Sequence, residues 1–270
     1  MKKLLIVFLL LVATVTFTAC SGSVATPTAA WAGIEVLEYS VQDSSGMNLG
    51  TMKTTMRRKS TEGFSNILED KEYTTADCRM EMQVDTDAYS ITTEILAKGM
   101  NTVAIKKVFT DKQATENNYT YIAYRDGKRL NYSLNGVVKD NVNVGTSGYT
   151  ESEFLYMYLR CYPIANVPAT IKIFDPLQGV VTEVATTSQT EAEVFGTVPY
   201  PGETKSIICN KVTISLSDSP IGKGINVYYT PDETGYNVDS FAESATTSRK
   251  FPVTIEENNI KYVLTSMFVA

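Results

Sequence analysis

Residues 78–85 read CRMEMQVD, and every second side chain in this stretch is apolar. The apolar members alternate with arginine, glutamate, glutamine and aspartate, which is the period of a β-strand with one dry face and one solvated face. Residues 89–95 (YSITTEI) and 212–217 (VTISLS) alternate in the same way, and residues 260–268 do so near the C-terminus. The repeated pattern predicts a fold built mainly from β-strands.

Short turn signals separate further strand candidates. Asp126-Gly127 and Asn135-Gly136 each lie between two alternating stretches, and such pairs favour two-residue hairpins because both central residues need positive φ. A third hairpin is expected from residues 34–43 through Ser44-Ser45-Gly46 into residues 49–59. Counting such segments gives about twelve strands, and the short connections imply that they are antiparallel.

One segment has helical periodicity instead. Thr150-Glu151-Ser152-Glu153 has the form of a capping box, in which the threonine hydroxyl accepts from the backbone three residues on and the glutamate reaches back. Pro163 ends the run. The pattern predicts a helix over about residues 151–161, with an apolar stripe that packs on the sheet. The apolar residues of the stripe are Phe154, Leu155, Met157, Tyr158 and Cys161.

The start of the chain predicts export. Lys2 and Lys3 precede an uncharged apolar stretch of 14 residues, 4–17, which is shorter than the roughly 20 residues of a membrane-spanning helix and fits a signal peptide. Phe17-Thr18-Ala19-Cys20 follows and resembles the bacterial lipobox. The resemblance implies cleavage before Cys20 and a diacylglycerol thioether on its sulfur. Ordinary cleavage near Ala19, with an unmodified cysteine, is the alternative.

These signals divide the chain into three parts: a signal peptide (residues 1–19), a lipidated cysteine with a flexible tether (20–30), and a single β-rich domain (31–270). The tether consists of small and polar residues that cannot pack a core. Without Lys2 and Lys3, the 24 basic residues fall to 22 against 30 acidic ones, a net charge of −8. This balance argues against nucleic acid as a partner.

The chain lacks the residues of the common catalytic centres. It contains no histidine, which excludes Ser-His and Cys-His nucleophiles and histidine-bound metals. Beyond Cys20, the cysteines Cys78, Cys161 and Cys209 are far apart and allow at most one disulfide. The sequence therefore predicts no enzyme, no cofactor and no metal site. Carboxylates remain as candidates for acid–base chemistry, and each is expected at a turn or on a solvated face. They are Asp232-Glu233, Glu256-Glu257, and Glu191 with Glu193.

The inventory of flexible and aromatic side chains is the feature that most favours a function. The chain has 9 Met, 16 Tyr and 10 Phe, and methionine adapts its shape at apolar surfaces that bind varied partners. A curved sheet lined in this way can enclose an apolar cavity, although the same residues can simply fill a core. The candidate ligand-binding residues are Met80, Met82, Phe154, Met157 and Tyr158.

The C-terminal half also carries a family resemblance. It lies in the helix segment 153–161, in 206–212 (SIICNKV) and 226–232 (NVYYTPD), and in 250–256 (KFPVTIE) with 261–268 (KYVLTSMF). These segments resemble an uncharacterised family of bacterial envelope proteins in the lipoprotein-localisation (LolA/LolB-like) superfamily. The resemblance implies a mainly β fold: a curved antiparallel sheet that forms an unclosed half-barrel, with one short helix packed in its concavity. It carries over no catalytic residue.

The sequence thus predicts an envelope lipoprotein, held to a membrane through lipid on Cys20, that binds a hydrophobic ligand such as a lipid, an acyl chain or a lipidated protein. The membrane would be either the cytoplasmic membrane, at its outer face, or an outer membrane, at its periplasmic side. A structural or partner-docking envelope lipoprotein with no small-molecule ligand is the alternative, and an enzyme is the third possibility.

Overall fold

The computed structural model describes residues 33–99, 101–146, 148–198, 202–215, 224–231 and 250–270. Four features predicted above lie outside these residues: the signal peptide, Cys20 with its tether, the pair Asp232-Glu233, and the end of the 212–217 alternation. In the described residues the chain forms seventeen β-strands and one α-helix. The fold is therefore mainly β, as predicted.

The strands are numbered in chain order. They are β1 (Ile34–Gln42), β2 (Asn48–Arg58), β3 (Ile67–Leu68), β4 (Lys71–Glu72), β5 (Cys78–Thr86), β6 (Tyr89–Lys98), β7 (Asn101–Asp111), β8 (Tyr119–Asp126), β9 (Arg129–Leu134), β10 (Val137–Val138), β11 (Val142–Asn143), β12 (Thr170–Asp175), β13 (Val180–Thr197), β14 (Thr204–Ser215), β15 (Ile225–Tyr229), β16 (Pro252–Glu257) and β17 (Ile260–Val269). The helix α1 spans Ser152–Leu159.

Fifteen of these strands form one sheet in the order β10-β9-β8-β7-β6-β5-β2-β1-β17-β16-β15-β14-β13-β12, with β11 also paired to β9. Every strand pair in it is antiparallel, as the short connections predicted. The strands β3 and β4 make a separate hairpin. The count exceeds the predicted twelve chiefly because β3, β4, β10 and β11 have two residues each, too few to show a period in sequence.

The alternation predicted for residues 78–85 is confirmed on β5. Its side chains are buried at every second position from Cys78 to Thr86, and β2 and β6 pair on either side of it. The buried set faces the inside of the curved sheet, where it joins the main hydrophobic core.

Of the two predicted Gly turns, one has the expected form and one is shifted by a residue. Asn135 and Gly136 both have positive φ, 52° and 76°, as a type I′ turn requires. The other turn consists of Gly127 and Lys128, because Asp126 pairs with Arg129. Gly127 alone has positive φ there, 57°, which fits a type II′ turn with glycine in the first central position.

The helix begins at Ser152, but the predicted capping box is wrong. Glu151 is the N-cap residue and no side chain caps the helix. The carboxylate of Glu153 pairs with Lys107 on β7 rather than with the backbone N–H of Thr150, since an ammonium group forms a stronger, charge-assisted bond than an amide. The backbone N–H of Thr150 donates to the Lys172 carbonyl on β12 (3.0 Å), and this bond sets the start of the helix.

The sheet curls until its two ends face each other without pairing. Phe174 on β12 contacts Tyr132 on β9, with ring centroids 5.0 Å apart, and lies 6.1 Å from Tyr121 on β8 and 6.2 Å from Tyr149. We call this junction, made by Tyr121, Tyr132, Tyr149, Thr150 and Phe174, the seam. No ladder of hydrogen bonds crosses it in the described residues, so the sheet is an unclosed half-barrel.

The helix α1 lies in the concavity. The Tyr156 hydroxyl donates to Met82 Sδ on β5 (3.5 Å), and the Tyr229 hydroxyl on β15 donates to the Tyr156 carbonyl (2.6 Å). Bonds to strands this far apart in the sheet are possible only from the inside of the curve. The predicted placement of the helix is therefore confirmed.

Candidate ligand-binding site

Four methionines line the concave face beside α1. Met52 and Met56 come from β2, Met80 and Met82 come from β5, and all four are at most 2% exposed. Met56 is directly opposite Met80 in the sheet. We call these four residues the methionine face. It arises because both strands place methionine at the period-two positions that point inward.

Two threonines interrupt this apolar face. Thr54 on β2 and Thr93 on β6 are the cross-strand partners of Met82 on its two sides. Both side chains are fully buried, and neither hydroxyl has a hydrogen-bond partner. A buried polar group left unpaired costs about 1–3 kcal/mol. Valine would have the same shape without that cost, so the two hydroxyls need an explanation other than packing.

The structure brings the five predicted ligand-binding residues to one region but does not expose them equally. Met80, Met82, Phe154 and Met157 are buried in the same core, whereas Tyr158 is half-buried and lines a cavity at the seam. The helix α1 contacts the methionine face through Tyr156, whose hydroxyl donates to Met82 Sδ, and its apolar residues share one core with the four methionines.

Charged side chains hold both ends of α1 to the sheet. At the C-terminal end, Arg160 makes a bidentate pair with Glu35 of β1, at 2.5 and 2.9 Å, with both side chains fully buried. Arg160 Nε also donates to the Lys250 carbonyl (2.5 Å). At the N-terminal end, Glu153 pairs with Lys107. Sequence reasoning missed these pairs, because their members are up to 125 residues apart.

Carboxylates also gather at the N-terminal end of α1. Burial and the nearby Glu153 raise the pKa of Glu151 to about 8, and the Tyr121 hydroxyl donates to it (3.3 Å). Burial opposes ionisation of Glu153, but Lys107 outweighs burial and lowers its pKa. Burial raises the pKa of Glu257. Of these three carboxylates, only Glu257 is among the candidates predicted from the sequence. The acidic pair at the start of the helix was the sequence signal for Glu151 and Glu153, but it is interpreted above as part of a capping box.

A cavity of about 220 Å³ lies beside the seam. Thr150 and Tyr149 line it, and both are almost fully buried with hydroxyls that lack a hydrogen-bond partner. The hydroxyl of Tyr149 lies close to Glu151 and Tyr121 but does not reach hydrogen-bonding geometry. The other lining residues are Asn101, Gly148, Tyr158, Thr170, Ile171, Lys172 and Glu183.

A second, larger cleft of about 530 Å³ lies at the β16–β17 turn and is lined mainly by polar side chains, including Glu256, Glu257, Asn258, Asn259 and Lys261. The Glu256 carboxylate accepts a hydrogen bond from the Tyr228 hydroxyl (3.1 Å) and forms an ion pair with Lys261 (3.1 Å). The candidates Glu191 and Glu193 are exposed on β13.

Neither metal clusters nor disulfides are found in the described part of the chain. No group of three or more His, Cys, Asp or Glu side chains in it could hold a metal ion. Cys78, Cys161 and Cys209 are free thiols, and burial raises the pKa of Cys161 and that of Cys209 to about 12. Thiols with such pKa values are poor nucleophiles at neutral pH.

The described residues contain no helix that is long and apolar enough to cross a membrane.

Comparison with known proteins gives a structural likeness only. No family model matches the chain, and no curated protein matches it in sequence. Among solved structures it is similar to a β-barrel-like protein of a domain of unknown function, DUF1849, from Brucella abortus. The identity is 13%, the match covers 89% of this chain and 99% of the other, and the TM-score is 0.47. Nothing about a ligand or a membrane follows from it.

Proposed function

We propose that this protein is an envelope lipoprotein, anchored through Cys20, whose half-barrel reversibly binds a hydrophobic ligand such as a lipid or an acyl chain. One observation carries the proposal: the concave face combines four buried methionines with two buried hydroxyls that have no partner. A core that served only to stabilise the fold would gain from replacing both features.

The choice of methionine supports a face that repacks. Leucine, isoleucine and valine have well-defined rotamers and specify one packing, whereas methionine has an unbranched, flexible side chain that fills irregular space. Met52, Met56, Met80 and Met82 occupy adjacent positions on two paired strands. This concentration favours a surface that can pack against α1 in one state and against a ligand in another.

The helix that covers this face is suited to movement. It has only eight residues, and helices shorter than about 12 residues are marginal on their own. An acyl chain can replace the contacts that α1 gives up, because each buried methylene contributes about 0.8 kcal/mol. The two charged pairs at the ends of α1 would guide its return to the same position.

The anchor is supported by the sequence alone. The positive start, the apolar stretch of residues 4–17 and the lipobox-like residues before Cys20 are those of an exported lipoprotein. An anchor made of two or three acyl chains holds a protein durably at a membrane. A body held there would lie next to its source of hydrophobic ligand.

The alternative is a structural or partner-docking lipoprotein with no small-molecule ligand. The observation in its favour is that Met80, Met82, Phe154 and Met157 are packed into a continuous core. The two functions differ in whether α1 ever leaves the methionine face.

Native mass spectrometry on residues 21–270, which retain every described residue, tests the proposal. The protein is exposed to a total lipid extract, and we expect a bound species of discrete added mass. A double variant, Met80→Ile with Met82→Ile, keeps the volume of the side chains and makes them stiff, so the fold should persist at a cost below about 3 kcal/mol. The matched control is Met47→Ile, at a methionine that is 60% exposed.

Loss of the bound species in the double variant, with retention in the control, supports binding on the methionine face. A clean mass with no adduct, across all lipids offered to the unaltered protein, would refute the proposal and favour the docking alternative. Equal binding by the double variant and the control would refute the assigned location.

A further inference from the structure

Two buried hydroxyls without partners line the cavity at the seam, those of Tyr149 and Thr150, and a third, that of Thr102, lies beside them without lining it. Thr102 on β7, Tyr149 and Thr150 are each at most 2% exposed, and none of their hydroxyls makes a hydrogen bond. The backbone N–H of Thr102 donates to the Tyr149 carbonyl (3.3 Å), so the three residues are neighbours. Thr150 and Tyr149 line the 220 Å³ cavity.

The backbone explains their positions but not their chemistry. The backbone N–H of Thr102 on β7 donates to the Tyr149 carbonyl, and the backbone N–H of Thr150 donates to the Lys172 carbonyl on β12. Valine in place of threonine would allow the same backbone hydrogen bonds and has the same side-chain shape. Each hydroxyl instead carries the cost of an unpaired buried group, about 1–3 kcal/mol. Such a cost is explained if a bound ligand supplies the missing partners.

The polar groups around the cavity define what that ligand should be. Hydroxyls both donate and accept hydrogen bonds, and the Asn101 amide does the same beside them. The cavity also holds one ammonium and one carboxylate, Lys172 and Glu183, which lie 3.9 Å apart and offset each other. A site of this kind matches a neutral group with several hydroxyls better than a phosphate or a carboxylate.

The size of the cavity indicates that it receives part of a ligand. Pockets that hold whole small molecules measure roughly 300–1,000 Å³, whereas this one is about 220 Å³. Tyr158 lines the cavity while its helical neighbour Met157 lies in the core with the methionine face. The helix α1 thus separates a polar compartment from an apolar one.

We propose that the seam cavity binds the hydroxylated head group of the ligand, a sugar or glycerol moiety, through Tyr149 and Thr150. The assignment of the head group to a lipid rests on the function proposed above. The burial that keeps Glu151 protonated at neutral pH fits this inference, because a neutral carboxyl beside Tyr149 does not repel the oxygens of a head group.

Three probes with the same eight-carbon chain test the inference: octyl glucoside, monooctanoylglycerol and octanoate. Affinities are measured by calorimetry on residues 21–270, together with methyl glucoside and glycerol as head groups without a chain. The variants are Tyr149→Phe and Thr150→Val, at the two residues whose unpaired hydroxyls line the cavity. The matched control is Thr102→Val, which removes an equally buried, unpaired hydroxyl from a neighbouring residue that does not line the cavity.

We expect octyl glucoside or monooctanoylglycerol to bind at least tenfold more tightly than octanoate, and the better of the two identifies the head group. Each seam variant should weaken that binding by about twofold to tenfold, the value of one hydrogen bond, while raising the melting temperature of the free protein. The control should raise the melting temperature without changing the preference among probes. A loss of affinity with a gain of stability is not expected from a merely structural hydroxyl.

Two outcomes separate this inference from the proposed function. If octanoate binds as tightly as the other probes and the seam variants bind like the unaltered protein, the head-group site is refuted while the hydrophobic function stands. If methyl glucoside or glycerol binds as tightly as its octyl counterpart, and the seam variants weaken it, the site stands and the binding of an acyl chain is refuted. Absence of binding by every probe overturns both.

Discussion

Replacing the buried carboxyl at the seam should make the protein more stable at neutral pH. The pKa of Glu151 is raised from 4.5 to about 8, first by burial and then by the charge of Glu153. Since the folded pKa lies above the unfolded value, the native state binds this proton more tightly. Below pH 4.5 the carboxyl is protonated in both the folded and the unfolded state, so its titration does not change the free energy of unfolding. As pH rises from 4.5 towards 8, the free energy of unfolding falls by about 1.4 kcal/mol per pH unit.

The variant Glu151→Gln removes this dependence. Glutamine has the same shape, does not titrate, and can still accept the bond from Tyr121. Over the 2.5 units from pH 4.5 to 7 the expected gain relative to the unaltered protein is about 3 kcal/mol. In a domain of this size that corresponds to a rise of roughly 6–12 °C in melting temperature at pH 7.

The assay is thermal unfolding of both proteins between pH 4.5 and 8, followed by circular dichroism. The quantity of interest is the difference between the two proteins, because other titrating groups contribute equally to both. Glu116→Gln, at an exposed carboxylate, is the matched control for the chemical change from glutamate to glutamine. A constant difference between Glu151→Gln and the unaltered protein across this range would show that Glu151 is ionised in the folded state.

Three further predictions concern the helix, the seam and the anchor. Arg160→Met removes the guanidinium that pairs with the buried carboxylate of Glu35 and should destabilise the fold by about 3–5 kcal/mol in urea unfolding; adding Glu35→Leu should restore at least half of the loss, and a double variant as unstable as the single one would contradict this. Phe174→Ala should speed hydrogen exchange at the Thr102 and Thr150 amides, which bridge the seam, more than at β5 amides; equal acceleration would mean that the seam does not open by itself. Cys20→Ala should abolish incorporation of labelled palmitate in cells, and unchanged labelling would exclude Cys20 as the acylated residue.

The placement of polar groups links these predictions. The helix is held by charged pairs at both ends, while the face beneath it consists of flexible side chains and unpaired hydroxyls. Buried ion pairs have a well-defined geometry but a large desolvation cost, so they specify where α1 sits better than they stabilise it. The proposed function requires a helix that leaves the methionine face and returns to one position.

The strands, most of the hairpins and the existence of the helix could be predicted from the sequence. These follow from local rules: the side-chain period of a strand is two, and glycine accepts positive φ at little cost. The stretch 78–85 predicted its own buried face correctly, and Asn135-Gly136 predicted its own turn. The same local rules failed at Thr150 and Glu153, where the tertiary partner Lys107 displaced the capping box.

The contacts between distant residues could not be predicted from the sequence and depend on the folded sheet. The curl of the sheet brings Phe174 to Tyr132, Arg160 to Glu35, and Thr150 to the same cavity as Lys172 and Glu183. No sequence period encodes these contacts, because they depend on the summed twist and curvature of fifteen strands. Burial raises the pKa of Glu151 and leaves the threonine hydroxyls unpaired, and this burial likewise arises only when the sheet curls into a half-barrel.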